Sequence, residues 1–141
     1  MRKRFVTCLG WALLGALLLP VPAARADDRT RDFSAPADRV WTVARSTLRG
    51  LGWDIDKEDR EVGWILTDSR RLEGEDYGVY AKGAKHRLRV VIKGEGGKTT
   101  VTVERRVWKQ ERILWMDKQE DVPTTDRTVE KQVLDAIAAS L

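Results

Sequence analysis

Residues 86–108 constrain the fold more than any other stretch of the chain. From 86 to 93, Leu88, Val90 and Ile92 alternate with Arg87, Arg89, Val91 and Lys93. Gly94-Glu95-Gly96-Gly97 breaks the pattern. It resumes over 99–108, with Val101, Val103 and Val107 on one face and Thr100, Thr102, Glu104, Arg106 and Trp108 on the other. A period of two sends successive side chains to opposite faces of a strand, and the glycines supply the return. The pattern therefore predicts a β-hairpin with one apolar and one charged face. An antiparallel sheet of this kind needs cover on its apolar face alone.

Two amphipathic segments can provide that cover. Ser34-Ala35-Pro36 reads as a helix start: Ser34 can cap, Pro36 suits the first turn, and Asp38 favours the positive end of the dipole. Val40, Ala44, Thr47 or Leu48, and Leu51 then share a stripe, with Trp41 beside it, and Gly50 and Gly52 end the helix predicted over 36–50. A second helix is expected over about 125–141, where Val129, Val133, Ala136, Ile137 and Ser140 recur on one stripe and Thr124, Thr125 and Asp126 are cap candidates.

The remaining segments read as strands and loops. Residues 27–32 are polar, and Phe33 ends a short first strand. Trp53 and Ile55 alternate with Asp54 and Asp56, residues 57–61 form a charged turn, and 62–67 is strand-like, so a second hairpin is predicted. Residues 68–83 carry Gly74, Gly78 and Gly83 among many charges and read as a loop, with Tyr77, Val79 and Tyr80 as a strand edge. Residues 109–123 stay open: 113–116 fits a last strand or a helical turn. The expected order is β-α-β-β-β-β-α. That makes an α+β domain, an antiparallel sheet of about 4–5 strands with two helices packed on one face.

The amino terminus has another character. Arg2, Lys3 and Arg4 precede an apolar run over 5–19, Pro20 and Pro22 follow, and Ala24-Arg25-Ala26 offers an A-x-A cleavage site. This is the layout of a secretory signal peptide. The run of about 15 residues is shorter than the roughly 20 that span a bilayer. Residues 1–26 are expected to be the signal and 27–141 a single domain, periplasmic or secreted from a bacterium, with no transmembrane segment after cleavage. Cys8, the sole cysteine, lies too early for a lipid anchor and would be removed. The +4 formal charge also belongs to this segment. It holds four basic residues and no acid, leaving 22 basic against 22 acidic residues in 27–141. A neutral domain is not a general polyanion binder, and nucleic acid is not an expected partner.

Motifs for chemistry fail on inspection. Gly97-Lys98-Thr99 resembles the end of a phosphate-binding loop, but Ile92 stands where a glycine is needed and a strand follows. Asp54-x-Asp56-x-Glu58 resembles a calcium loop, but Asp59 and Ile65 occupy the positions of its glycine and bidentate glutamate. His86, the only histidine, has no H-x-x-x-H partner and no serine in a G-x-S-x-G elbow, so it reads as a solvated residue. No catalytic residue, metal ligand or cofactor is expected, and the chain reads as a non-enzyme.

Charge is separated along the domain. Residues 82–112 hold ten Lys and Arg against three Glu, whereas 113–141 holds six acids against three bases. One sheet face would display Arg87, Arg89, Lys93, Arg106 and Trp108, and Arg with Trp is typical of interaction surfaces. The alternative is a solvated face whose cations pair with the acidic 113–141 segment.

A resemblance joins these observations. Pro36-Ala37-Asp38-Arg39-Val40-Trp41, Leu51-Gly52-Trp53-Asp54-Ile55-Asp56 and Asp59-Arg60-Glu61-Val62-Gly63-Trp64-Ile65 resemble the repeated domain of the BamC (NlpB) lipoproteins of outer-membrane assembly. The match covers about 33–68 and implies a helix-grip fold, an antiparallel sheet gripping a final helix. The chain departs from that family in having one such domain and no anchor cysteine at a cleavage point. The implied function is an exported binding or scaffolding domain of the cell envelope. Its partner would be another envelope protein or an anionic envelope component. The helix start from Ala35 to Trp41 is also similar to START-like domains, which implies the alternative of a carrier for a small apolar ligand in a groove between sheet and final helix.

Overall fold

The long hairpin forms the spine of the sheet. In the computed structural model, which describes residues 27–72 and 81–141, the elements run β1 (Thr30–Phe33), α1 (Ala37–Gly50), β2 (Ile55–Asp59), β3 (Trp64–Thr67), β4 (Arg70–Arg71), β5 (Ala81–Glu95), β6 (Lys98–Ile113), β7 (Met116–Asp121) and α2 (Thr128–Ser140). The sheet order is β1-β6-β5-β3-β2, with β4 on β5 and β7 on β6, and every pairing is antiparallel. The α+β class and the two helices on one face hold. Among the described residues the sheet has seven strands rather than four or five, because β4 and β7 form within segments read as a loop and as undecided. The proposed signal peptide, Gly74, Gly78, Tyr77, Val79 and Tyr80 lie outside the described residues.

β5 and β6 pair from Glu95–Lys98 to Ala81–Glu111, so the hairpin is longer than its alternating core. Its turn has two residues, Gly96 at φ 59° and Gly97 at φ 79°. Two left-handed residues suit the twist of a tight hairpin, and glycine adopts them without a Cβ clash. The register sets Val90 opposite Val103 and Ile92 opposite Val101, on the face that receives the helices.

The turn of the other hairpin lies later than the charges suggest. Lys57, Glu58 and Asp59 belong to β2, and residues 60–63 make the turn. Gly63 ends it at φ 86°, against β5. Its carbonyl accepts the Ile92 N–H at 2.8 Å, and a Cβ there would lie 2.2 Å from the Ile92 carbonyl oxygen. The backbones approach too closely for any other residue.

Val40, Ala44, Leu48, Ile65, Leu88, Val90, Val101, Val103, Val133 and Ile137 are fully buried between the helices and the sheet. Each of these valine, leucine and isoleucine side chains contributes roughly 1.5–3 kcal/mol relative to exposure. Trp41 and Trp53 join them. On the α2 side, Val103, Val133, Leu134 and Ile137 pack together in this layer. Helix starts differ in detail from the expected caps. Neither helix has a side-chain cap bond from its N-cap residue: Pro36 caps α1, so Ser34 does not, and Arg127 caps α2. Asp126 works from one position earlier, accepting the Thr128 N–H at 3.0 Å and its hydroxyl at 2.6 Å.

Candidate interaction face

The face of the sheet away from the helices carries all five residues singled out above. Cross-strand neighbours share a face, and the register places Trp108 opposite Lys85, Arg106 opposite Arg87, Glu104 opposite Arg89, Thr102 opposite Val91 and Thr100 opposite Lys93. β3 adds Trp64 opposite Val91 and Leu66 opposite Arg89. Period-two alternation on three adjacent strands thus aligns the apolar Trp64, Leu66 and Val91 beside the cations of β5.

These residues do not play one part. Trp108 is 7% exposed, so it is a buried platform and not a displayed contact. The Arg87 and Arg106 guanidinium carbons lie 5.7 and 5.5 Å from its ring centroid, within cation–π range. Its Nε1–H is buried without an acceptor among the described residues. Arg106 also bonds Asp121, its Nε donating to Oδ1 at 2.9 Å. Arg89 lies 3.7 Å from Glu104. Lys93 is exposed and makes no ion pair among the described residues.

The acidic carboxy-terminal segment partly neutralises the basic hairpin. β7 runs along β6 and sets Glu120 3.3 Å from Lys109 and Asp121 2.8 Å from Arg106. Lys109 also meets Glu111 at 3.0 Å, and its bonds to Glu111 and then Glu120 raise its pKa above the usual lysine value. At the far end, the Thr100 hydroxyl donates to Asp32 at 2.6 Å and, with Lys98, holds that carboxyl below its usual range.

What stays open is the middle of the face. A groove of about 560 Å³ lies there, lined by Val62 and Trp64, by Arg89, Val91 and Lys93 of the central strand β5, and by Thr100, Thr102 and Glu104 of β6. Val62 is exposed in the turn, so the strand predicted over 62–67 begins at Trp64 instead. Trp64 is half-buried and is the groove's one aromatic lining residue.

A polar cluster lies on the opposite face, and sequence reasoning missed it. His86 is 9% exposed, not solvated. Its ring meets Trp53 edge-on at 5.0 Å, and its Nδ1 accepts the Arg105 Nε–H at 3.0 Å. Burial, then Arg105, then Arg70 push its pKa down to about 4, so the imidazole is neutral. Arg105 points inward among valines and reaches Asp126 at 3.4 Å. Glu130, in the first turn of α2, is fully buried and bonded by Arg127 at 3.1 Å. The interruption of the Val101, Val103, Val107 series by Arg105 was the available signal. The cluster joins strand to helix and holds no nucleophile. Among the described residues, no group of three His, Cys, Asp or Glu could hold a metal ion. No helix among them is long and apolar enough to cross a membrane.

No family model matches the chain, and no curated protein matches it. Among solved structures, it is similar to the crystal structure of a DUF4468 family protein from Bacteroides ovatus, at 8% identity over 83% of this chain and 84% of that one, with a TM-score of 0.36.

Proposed function

We propose that the chain is an exported, non-enzymatic α+β domain that binds or scaffolds another component of the bacterial envelope through its open sheet face. The observation that carries this reading is the groove lined by Val62, Trp64 and Val91, with Arg89 and Lys93 flanking Val91 along β5, on the face that neither helix covers. An aromatic and aliphatic floor with guanidinium and ammonium groups around it is the composition of interface centres. The cations favour a partner with acidic groups, an envelope protein or an anionic envelope component. Export rests on the layout of residues 1–26, and a place in outer-membrane assembly on the resemblance of residues 33–68 to BamC-like domains.

Affinity capture from a bacterial envelope fraction tests the reading. Arg89→Glu with Lys93→Glu reverses the groove's basic charge at exposed positions and should leave the melting temperature within a few degrees of wild type. A component retained by the wild type and lost by the double variant supports the open face as the binding surface. Equal retention by both proteins rejects it.

A further inference from the structure

The β6–β7 hairpin ends in four consecutive apolar side chains. Ile113, Leu114, Trp115 and Met116 are 46%, 74%, 81% and 61% exposed. They have no place in the groove or in the envelope-binding reading. Ile113 pairs with Met116, so the turn consists of Leu114 and Trp115, with Leu114 at φ 59°. Two-residue hairpins ordinarily place Gly, Asn or Asp at such a position, because a side chain there is strained. Leucine at a left-handed turn position, followed by tryptophan, opposes both solubility and backbone preference. The stem behind them is regular, with six cross-strand pairs from Trp108–Asp121 to Ile113–Met116, about 17 Å of ladder at strand rise.

From this geometry we infer that the tip is a lipid-surface anchor that inserts into the interfacial layer of a bilayer. The shape favours a lipid over a protein. The tip is a convex wedge of four side chains, while a stable protein interface buries about 800 Å² per partner. The stem cannot extend the apolar area, because Arg112 stands opposite Asp117 and Glu111 opposite Lys118. A bilayer requires no matching pocket, and tryptophan is enriched at its headgroup level. The charged rungs act as a collar, so insertion stops at Ile113 and Met116. Their opposite signs cancel, so the tip needs no anionic lipid.

Full-length protein incubated with phosphatidylcholine vesicles tests this, by co-sedimentation and by tryptophan emission with brominated lipid as quencher. Residues 1–26 are common to all the proteins compared, so differences between them report the tip. Wild type should sediment with vesicles, with partitioning changed less than twofold between 50 mM and 500 mM salt, since no net charge is neutralised. Leu114→Asn with Trp115→Gly installs a favoured turn pair, preserves the hairpin, and should weaken partitioning at least tenfold. Trp115→Phe should keep most of the binding and lose the share of the lipid quenching that Trp115 carries, any share from Trp11 in the apolar 5–19 run being common to both proteins. Partitioning unchanged in the Asn-Gly variant overturns the inference. So does binding that requires anionic lipid and disappears with salt, which would locate the contact on the basic face. Wild type that ignores vesicles yet forms a dimer lost in the Asn-Gly variant also overturns it, in favour of a second copy as the tip's partner.

Discussion

Lowering the pH from 7 to 5 should destabilise the native state by about 2 kcal/mol through one side chain, His86. The imidazole is buried, and its Nδ1 is occupied as an acceptor by Arg105. Protonation would remove that bond and place a second cation beside the guanidinium. Its pKa is accordingly lowered from 6.5 to about 4, by burial first, then Arg105, then Arg70. A lowered histidine pKa means that the unfolded chain binds more protons between these two values. The contribution is complete above pH 6.5, is lost as the pH falls below it, and levels off near 4. At pH 5 the unfolded imidazole is almost fully protonated and the native one mostly neutral, a factor of roughly thirty in the folding equilibrium, or about 2 kcal/mol. The carboxylates of Asp27, Asp32, Asp126 and Asp135 are held below their usual range, so their losses fall at lower pH. His86 is the only histidine. Urea denaturation at pH 7 and pH 5, followed by tryptophan fluorescence, measures the difference. His86→Gln keeps an acceptor for Arg105 without titrating, and its stability should be nearly flat over this range. The α-amino group titrates alike in both proteins and cancels. A wild-type difference under about 0.5 kcal/mol would refute the reasoning, as would an equal difference in the variant.

Two further predictions concern the sheet. Gly63→Ala places a Cβ 2.2 Å from the Ile92 carbonyl oxygen at φ 86°, so the turn must separate from β5. A loss of about 3 kcal/mol or more in chemical denaturation is expected, and a loss below 1 kcal/mol would mean that the backbone shifts aside. At Trp108, phenylalanine fills most of the space and removes the buried, unpaired Nε1–H, so Trp108→Phe should change stability by less than about 1 kcal/mol. Trp108→Ala should cost about 3–5 kcal/mol. Equal effects in thermal melts would deny Trp108 its platform role.

Elements whose signal is local were legible from residue order. The Leu88, Val90, Ile92 series and the Val101, Val103 series determine two strand faces, and the Val40, Ala44, Leu48 stripe determines α1. Elements that form because another strand lies beside them were not. β7 has no apolar alternation and all its residues are exposed; it is a strand because β6 continues past Trp108 and offers a ladder. Its turn, Leu114-Trp115, carries none of the usual turn residues, so neither the hairpin nor its exposed tip could be read.

The candidate face divides in the same way. Alternation alone put Arg87, Arg89, Lys93, Arg106 and Trp108 on one side of the hairpin. Tertiary structure decided which of them remain available. The β7 register draws Asp121 onto Arg106, and the two arginines cover Trp108. β3 brings Trp64 to Val91 and so makes a groove beside Arg89 and Lys93. On the other face, the segment leading into α2 supplies Asp126 to Arg105 and Arg127 to Glu130, partners that offset part of the cost of their burial. Periodicity assigns a side chain to a face, because the backbone repeats every two residues or every 3.6. Whether a charge on that face is solvated, paired or buried depends on groups distant in sequence, and only the folded arrangement brings them within reach.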